Sequence, residues 1–511
     1  MSDTVSDKGQ TVTQGMTPFE RGALIFTLTM STMLYAMTVT IANVALPKMQ
    51  GAFGATADQI SWVVTFNLVA TAVVTPMTGW LVARLGQRRV MLFSAMGFTC
   101  ATLACGMATS LEQIVFFRVL QGMFGAPMVP GSQSIVLQAF PREKHASTMA
   151  IFGVGVVMGP IIAPTLGGYL SEEFGWRWVF FMVVPFALIA ILGILAFVRD
   201  LGHPGKIRFD WTGFIALSLA VASTQFMLDR GEREDWFQST EIIICACIAV
   251  LAFYVFISHS LTASKTPFLD FAMLKDRNFA LGMGFILVFG MLNFTPMVIF
   301  PPMLQQLRDF PETTIGWLLA ARGIGTLVGF IAMIWLTKYD PRIWMAIGFG
   351  MQGVAGLYIT TFDLNLTPWD VAWTSALQGL GTGVCWVPVT QIAFATLNPA
   401  KAPEGSAVFH LIRNFGSSFF ISVSVAVSLR TSKVNYSDLT GQISPLNETL
   451  RYPSVMGGWN PETESGLMAL AGEIQRQAIM IGYINAFYLF AIVSLSVIPF
   501  LLFVKWKGHA A

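Results

Sequence analysis

Glycines and prolines thread an apolar run, Gly153-Val-Gly155-Val-Val-Met-Gly159-Pro160-Ile-Ile-Ala163-Pro164-Thr-Leu-Gly167-Gly168, that is long enough to cross a bilayer. A soluble helix rarely tolerates this pattern. In hydrocarbon every backbone polar group must be satisfied within the protein, and neighbouring helices can take up the carbonyl that each proline frees. Gly155, Gly159, Ala163 and Gly167 recur four residues apart and form a groove in which another helix backbone can lie close. Taken alone, the groove is equally a packing face and nothing more.

Composition places the whole chain in the same setting. Of its 511 residues 54% are hydrophobic and only 11% charged, with a mean hydropathy of +0.64, whereas soluble proteins carry about 25% charged residues. The net charge of +2 gives no argument for nucleic acid. Cys100, Cys105, Cys245, Cys247 and Cys385 lie in apolar runs without metal-ligand spacing, so neither disulfides nor a metal is expected. No cofactor motif or nucleophile–base pair stands out, and an enzyme is not expected. The first apolar run, near 23–46, is too long for the core of a cleaved signal peptide and reads as the first span.

Apolar runs of about 20 residues give about fourteen segments, near 21–46, 58–82, 88–109, 112–137, 144–170, 175–198, 211–229, 241–261, 278–304, 313–337, 342–361, 369–396, 403–430 and 480–504. The expected fold is an all-α integral membrane protein of two six-helix bundles with two extra helices between them. Residues 1–200 form the first bundle, 201–277 the extra spans and a linker, and 278–511 the second bundle. Lys and Arg crowd the loops on the side that holds both termini, which the positive-inside rule makes cytoplasmic. Residues 431–479 read as a long polar loop on the other side, with an N-capped helix beginning at Asn460-Pro461-Glu-Thr-Glu464. Pro127, Pro130, Pro296, Pro301, Pro302 and Pro388 interrupt spans or lie at their ends, and Pro296 and Pro388 are the expected bending points.

A basic turn, Gly79-Trp-Leu-Val-Ala83-Arg84-Leu-Gly86-Gln-Arg88-Arg89, joins the second and third segments. Together with the glycine–proline run it resembles the loop and antiporter motifs of the major facilitator superfamily, with Gly79, Arg84, Gly86, Arg88, Gly155, Gly159, Pro160, Pro164, Gly167 and Gly168 as gating or conformational residues. Residues Thr40-Ile41-Ala42-Asn43-Val44-Ala45-Leu46-Pro47, Arg118-Val-Leu-Gln121-Gly122 and Leu228-Asp229-Arg230-Gly231-Glu232…Asp235-Trp236 sharpen the resemblance to the fourteen-span drug:proton antiporters of the EmrB type. The resemblance implies a bacterial inner-membrane multidrug exporter, driven by proton entry, working with a periplasmic adaptor and an outer-membrane channel. Two positions depart from the pattern. Thr38 stands where the family usually has an aspartate, and a threonine hydroxyl cannot carry charge through a transport cycle. Ala83 stands where another aspartate is common.

Three arginines sit at depth. At about 1.5 Å per residue, Arg118 lies roughly 10 Å and Arg322 roughly 14 Å from the outer ends of their spans, and Arg413 roughly 16 Å from the inner end of its own. Such residues normally face a partner or a wet cavity. For Arg118 a packing lock and a part in coupling or the gate are both open. For Arg322 and Arg413, far from carboxylates in sequence, a cavity that accepts anionic or zwitterionic head groups is favoured. His410, three residues before Arg413, is the only histidine within a span core, and could be a proton carrier or a neutral hydrogen-bonding residue. Thr38, Asn43 and Gln121 complete the coupling candidates. Met30, Met33, Tyr35, Met37, Asn293, Phe294, Met297 and Trp386 are candidate cavity linings, since methionine and aromatic side chains adapt to varied amphiphiles.

The expected function is alternating-access export of amphiphilic compounds or drugs by proton antiport. Export of an endogenous anionic or lipid-like metabolite is the alternative within transport. A membrane scaffold or sensor without transport is the alternative outside it.

Overall fold

The computed structural model describes residues 16–199, 209–232, 234–262, 268–443, 452, 459 and 463–504, and leaves the side chains of residues 43, 44, 57, 58, 142, 164, 165, 312 and 313 undescribed. All its regular elements are helices. The first group comprises α1 (Pro18–Phe53), α2 (Ala57–Val74), α3 (Thr78–Leu85), α4 (Gln87–Met107), α5 (Leu111–Gly125), α6 (Met128–Ala139), α7 (His145–Glu173), α8 (Trp178–Phe181) and α9 (Val183–Phe197). Next come α10 (Trp211–Arg230) and α11 (Thr240–Thr262). The last group is α12 (Arg277–Arg308), α13 (Glu312–Leu336), α14 (Pro341–Ile359), α15 (Pro368–Phe394), α16 (Ala402–Gly441) and α17 (Glu464–Ser496).

Local chemistry fixes the ends. Thr17 and Glu20 form a reciprocal capping box at the start of α1, as Thr56 and Gln59 do for α2 and Thr367 and Asp370 for α15. Gly86 joins α3 to α4 at φ 89°, a backbone conformation that disfavours any residue with a Cβ. Among the described residues, twelve helical stretches are long and apolar enough to cross a membrane. α14 and α15 fall outside that set, yet pack on each other, α15 also on α13 and α14 also on α17.

Within the first group α1 packs on α7 and α9, and α4 on α5; within the last, α13 packs on α15 and α12 on α16. The groups meet where α7 crosses α13 and where α16 crosses α3 and α6. α10 lies against both α2 and α16, while the apolar window of α11 is only 22% buried.

Two expectations need correction. Pro296, Pro301 and Pro302 lie inside the continuous helix α12 and Pro388 inside α15, so they do not interrupt their spans; the fourth segment does break at Pro127, as expected, and the second breaks at Pro76, which was not expected. Packing on several sides holds α12 and α15 helical despite the lost bonds. The described residues of the polar stretch 431–479 are largely helical: α16 continues to Gly441, and α17 begins at Glu464 with Thr463 as its cap. Asn460 and Pro461, the expected cap, lie outside the described residues. α16 has 40 residues and α17 has 33, or roughly 60 and 50 Å at 1.5 Å per residue. Both exceed the ~30 Å of hydrocarbon and must project beyond it.

Candidate transport site

Arg118 is buried in α5. Its Nε donates to the Val63 carbonyl of α2 at 3.1 Å and its Nη1 to Gln121 Oε1 at 2.6 Å. Gln121, one turn on and so on the same side, donates from Nε2 to Thr102 Oγ1 of α4 at 2.7 Å. Asn67 Nδ2 returns a bond from α2 to the Arg118 carbonyl at 2.7 Å. One guanidinium thus ties three helices.

The second group repeats the device. Arg322 on α13 donates to Gln378 Oε1 of α15 at 3.2 Å, to Thr382 Oγ1 at 3.4 Å and to the Asn293 backbone carbonyl of α12. Arg413 on α16 lies 5.6 Å from the centre of the Trp386 ring and donates to Asn414 Oδ1 at 3.0 and 3.3 Å. Among the described residues no carboxylate pairs with any of the three arginines. Tyr35 on α1 lies within electrostatic reach of both Arg118 and Arg413, which brings cations of the two groups around one phenol.

His410 bridges the groups directly. Its Nε2 lies 2.5 Å from Gln133 Oε1 on α6, and Ser406 Oγ donates to the same oxygen at 2.9 Å. An amide oxygen only accepts, so Nε2 carries the hydrogen and Nδ1 is left as a bare nitrogen. That nitrogen is buried and has no protein partner among the described residues. On the same face, a Cβ at Gly79 would stand 2.8 Å from the Glu404 Cα, so only glycine lets α3 and α16 approach this closely. The two groups are pressed together on the face that carries the basic loops.

The glycine stripe of α7 divides its work. Gly155 faces Thr29, a Cβ at Gly159 would stand 2.8 Å from the Met33 carbonyl oxygen, and Gly167 faces Ile41, so the stripe seats α1 of its own group. Contact with α13 comes from the flank, where Gly153 receives the Phe330 ring and Ile161 fits against Gly323. Pro160 and Gly168 are half-buried in the continuous helix, and the side chain of Pro164 is outside the described residues. In the basic turn, the Arg84 guanidinium sits 5.2 Å from the Trp80 ring, and Arg88 donates to the Leu195 carbonyl at 2.5 Å near the end of α9, where a cation suits the helix dipole.

The remaining candidates scatter. Thr38 is buried and its hydroxyl bonds the Leu34 carbonyl of its own helix; the Asn43 side chain is outside the described residues. Met37 is buried among apolar neighbours, and Met30, Met33 and Tyr35 pack beside them. Trp386 is buried against Phe289 and Phe409, Asn293 and Met297 are half-buried, and Phe294 is exposed. A cavity of about 310 Å³ lies elsewhere, between the projecting parts of α12, α16 and α17, and is lined by residues including Gln306, Ser432, Lys433, Tyr436 and Tyr483. Gln133 and Ser406 escaped the sequence reading. The available signals were the polar run Ser132-Gln133-Ser134 inside an apolar span and the four-residue spacing of Ser406 from His410.

Comparison with known proteins agrees with this architecture. The Major Facilitator Superfamily model matches residues 28–421. Multidrug export protein EmrB of Escherichia coli K12 is 31% identical over 503 residues, covering 96% of this chain and 97% of that protein. Fatty acid resistance protein FarB of Neisseria gonorrhoeae is 29% identical over 510 residues, covering 96% and 98%. Two crystal structures share the fold: the human organic anion transporter MFSD10, with a TM-score of 0.60 at 14% identity over 94% of this chain and 100% of that one, and a double-tryptophan mutant of XylE, with 0.61 at 13% identity over 96% and 97%. Matched by the family model over most of its length and by EmrB over nearly all of it, the chain belongs to the Major Facilitator Superfamily, on its EmrB-like branch.

Proposed function

We propose that this chain exports amphiphilic compounds and drugs by alternating access, exchanging them for protons across a bacterial inner membrane. It is a fourteen-span carrier in this reading, with residues 1–200 and 278–511 as the rocking halves, 201–277 between them, and both termini and the basic loops in the cytoplasm. The observation that carries the reading is the seam between the halves. There the Tyr35 phenol stands within electrostatic reach of Arg118 and Arg413, His410 bridges to Gln133, and among the described residues no carboxylate pairs with either guanidinium. The names of the EmrB relatives support drug export.

His410 is the proton carrier in this account. Thr38 cannot titrate and is tied to its own helix, whereas the bare Nδ1 of His410 can accept a proton. A proton there would add a second cation beside Arg413 in a buried seam, and the cost of keeping both cations out of water favours hydration of the seam and opening of the cytoplasmic face. In proteoliposomes, His410→Gln should make export insensitive to an imposed proton gradient, at fixed membrane potential. Retained sensitivity would remove His410 from the role. Asp270→Asn is the control. Its carboxyl, outside the spans, is held below the ordinary 3.8 chiefly by the Lys401 bond, so that tie is complete above pH 3.8 and is lost only as pH falls through the lowered value. The pH profile between about 5 and 8 should keep its shape in that variant.

A second reading is favoured by the same uncompensated cations, which suit anionic amphiphiles, and by the FarB relative named for fatty acid resistance. Competition of free fatty acids with a cationic dye for export separates the two. The projecting ends of α16 and α17, packed on each other, offer a helix pair to a periplasmic adaptor, itself coupled to an outer-membrane channel.

A further inference from the structure

We propose that the α10–α11 hairpin is a clasp on the face opposite the basic loops, with Thr65, Asp229 and Ser422 as positioning residues that hold the conformer closed on the cytoplasmic side; this rests on the alternating-access reading above. α10 runs along the joint between α2 and α16. Near its start the contacts are apolar: Phe214 packs in a cluster with Ala72 and Met77 from the first half and Val408 and Leu411 from the second. Such surfaces can slide. Near its end the contacts are hydrogen bonds, one to each half. Thr65 Oγ1 of α2 donates to Asp229 Oδ2, and Ser422 Oγ of α16 donates to the Leu228 carbonyl at 2.8 Å. Thr65 and Ser422 are each 6% exposed, so water competes poorly for either bond.

The Asp-Arg-Gly-Glu…Asp-Trp stretch makes this end rigid. Arg230 pairs with Glu234 and with Glu241 of α11, both at 2.8 Å, and Trp236 Nε1 donates to Glu232 Oε2 at 2.7 Å. Asp235 and Trp236 take left-handed φ values of 52° and 54°, which fold the turn back under the end of α10. Leu228 stands in the last turn of α10, where a carbonyl lacks an intrahelical partner and is free for Ser422.

The two fastenings are unequal. A hydroxyl on a carboxylate makes a charge-assisted bond, stronger than a hydroxyl on a carbonyl. When the halves rock and the separation of α2 from α16 changes, the Ser422 bond parts first and the hairpin travels with α2.

Spin labels at residues 143 and 400, exposed and on opposite halves of the cytoplasmic face, report the open-to-closed ratio in full-length protein in lipid vesicles. Because opening breaks only the weaker of the two bonds, and the hairpin stays with one half once either bond is gone, Thr65→Val, Asp229→Ala and Ser422→Ala should each raise that ratio about threefold, and Thr65→Ser not at all. The serine variant also shows that a shift is not a folding defect. An unchanged ratio in Thr65→Val and Asp229→Ala, while the labels of the unaltered protein still move with substrate, overturns the clasp. Labels that never move in the unaltered protein overturn the alternating-access reading instead.

Discussion

Arg118→Lys should lower the initial rate of export roughly hundredfold, and Arg118→Met by about as much, since two hydrogen bonds from a charged group at about 1.5–3 kcal/mol each are at stake. The lysine keeps the charge but not the fork. One ammonium cannot supply the Nε bond to the Val63 carbonyl and the Nη1 bond to Gln121 together, so α2, α4 and α5 lose their common tie. Initial rates in proteoliposomes, with thermal unfolding in detergent on the same preparations, check this. Near-normal export by Arg118→Lys would mean that charge alone matters at this depth and that the hydrogen-bonded junction does not.

Gly379→Val should remove most folded protein. A Cβ at Gly379 would fall on the Arg322 carbonyl, one at Gly383 on the Thr326 carbonyl and one at Gly325 on the Ala376 carbonyl, so α13 and α15 meet backbone to backbone. Forcing side-chain volume into a filled crossing costs about 1–3 kcal/mol or more, and this one also seats Arg322 against Gln378. Gly350→Val is the comparison, because nothing lies within 4 Å of its Cβ position. Size-exclusion profiles of the two purified variants should differ sharply. A monodisperse Gly379→Val protein with an unchanged melting temperature would contradict the close crossing.

Much of this was legible in the chain because span length and apolar content are local properties. Each of the fourteen apolar segments contains a helix. The extent of α16 and α17 was not legible. Residues such as Asn435 and Ser437 carry no apolar signal, and the two helices are paired by Gly482, which lies against Ser428 and Ser432. The Gly-x-x-x-Gly spacings at 325–329 and 379–383 were as readable as the stripe of α7. Nothing local says which stripe crosses within a half and which lies near the joint between halves.

The depth of the arginines could be counted along their spans, but their partners could not. Val63 and Asn293 contribute backbone carbonyls, which any residue type supplies. His410 stood out as the only histidine within a span core. Gln133 did not, because it meets His410 across 277 residues of sequence.

The separation of the halves on the cytoplasmic face tests the central claim most directly. Spin labels at residues 143 and 400, in a background with the native cysteines replaced, should give one short distance at rest, set by the Gln133–His410 bridge and the Gly79–Glu404 contact. With an amphiphilic substrate and an imposed proton gradient, a second and longer distance should appear, and Gln133→Leu should populate it without either. A single distance that never changes while export proceeds would contradict two halves that open in turn.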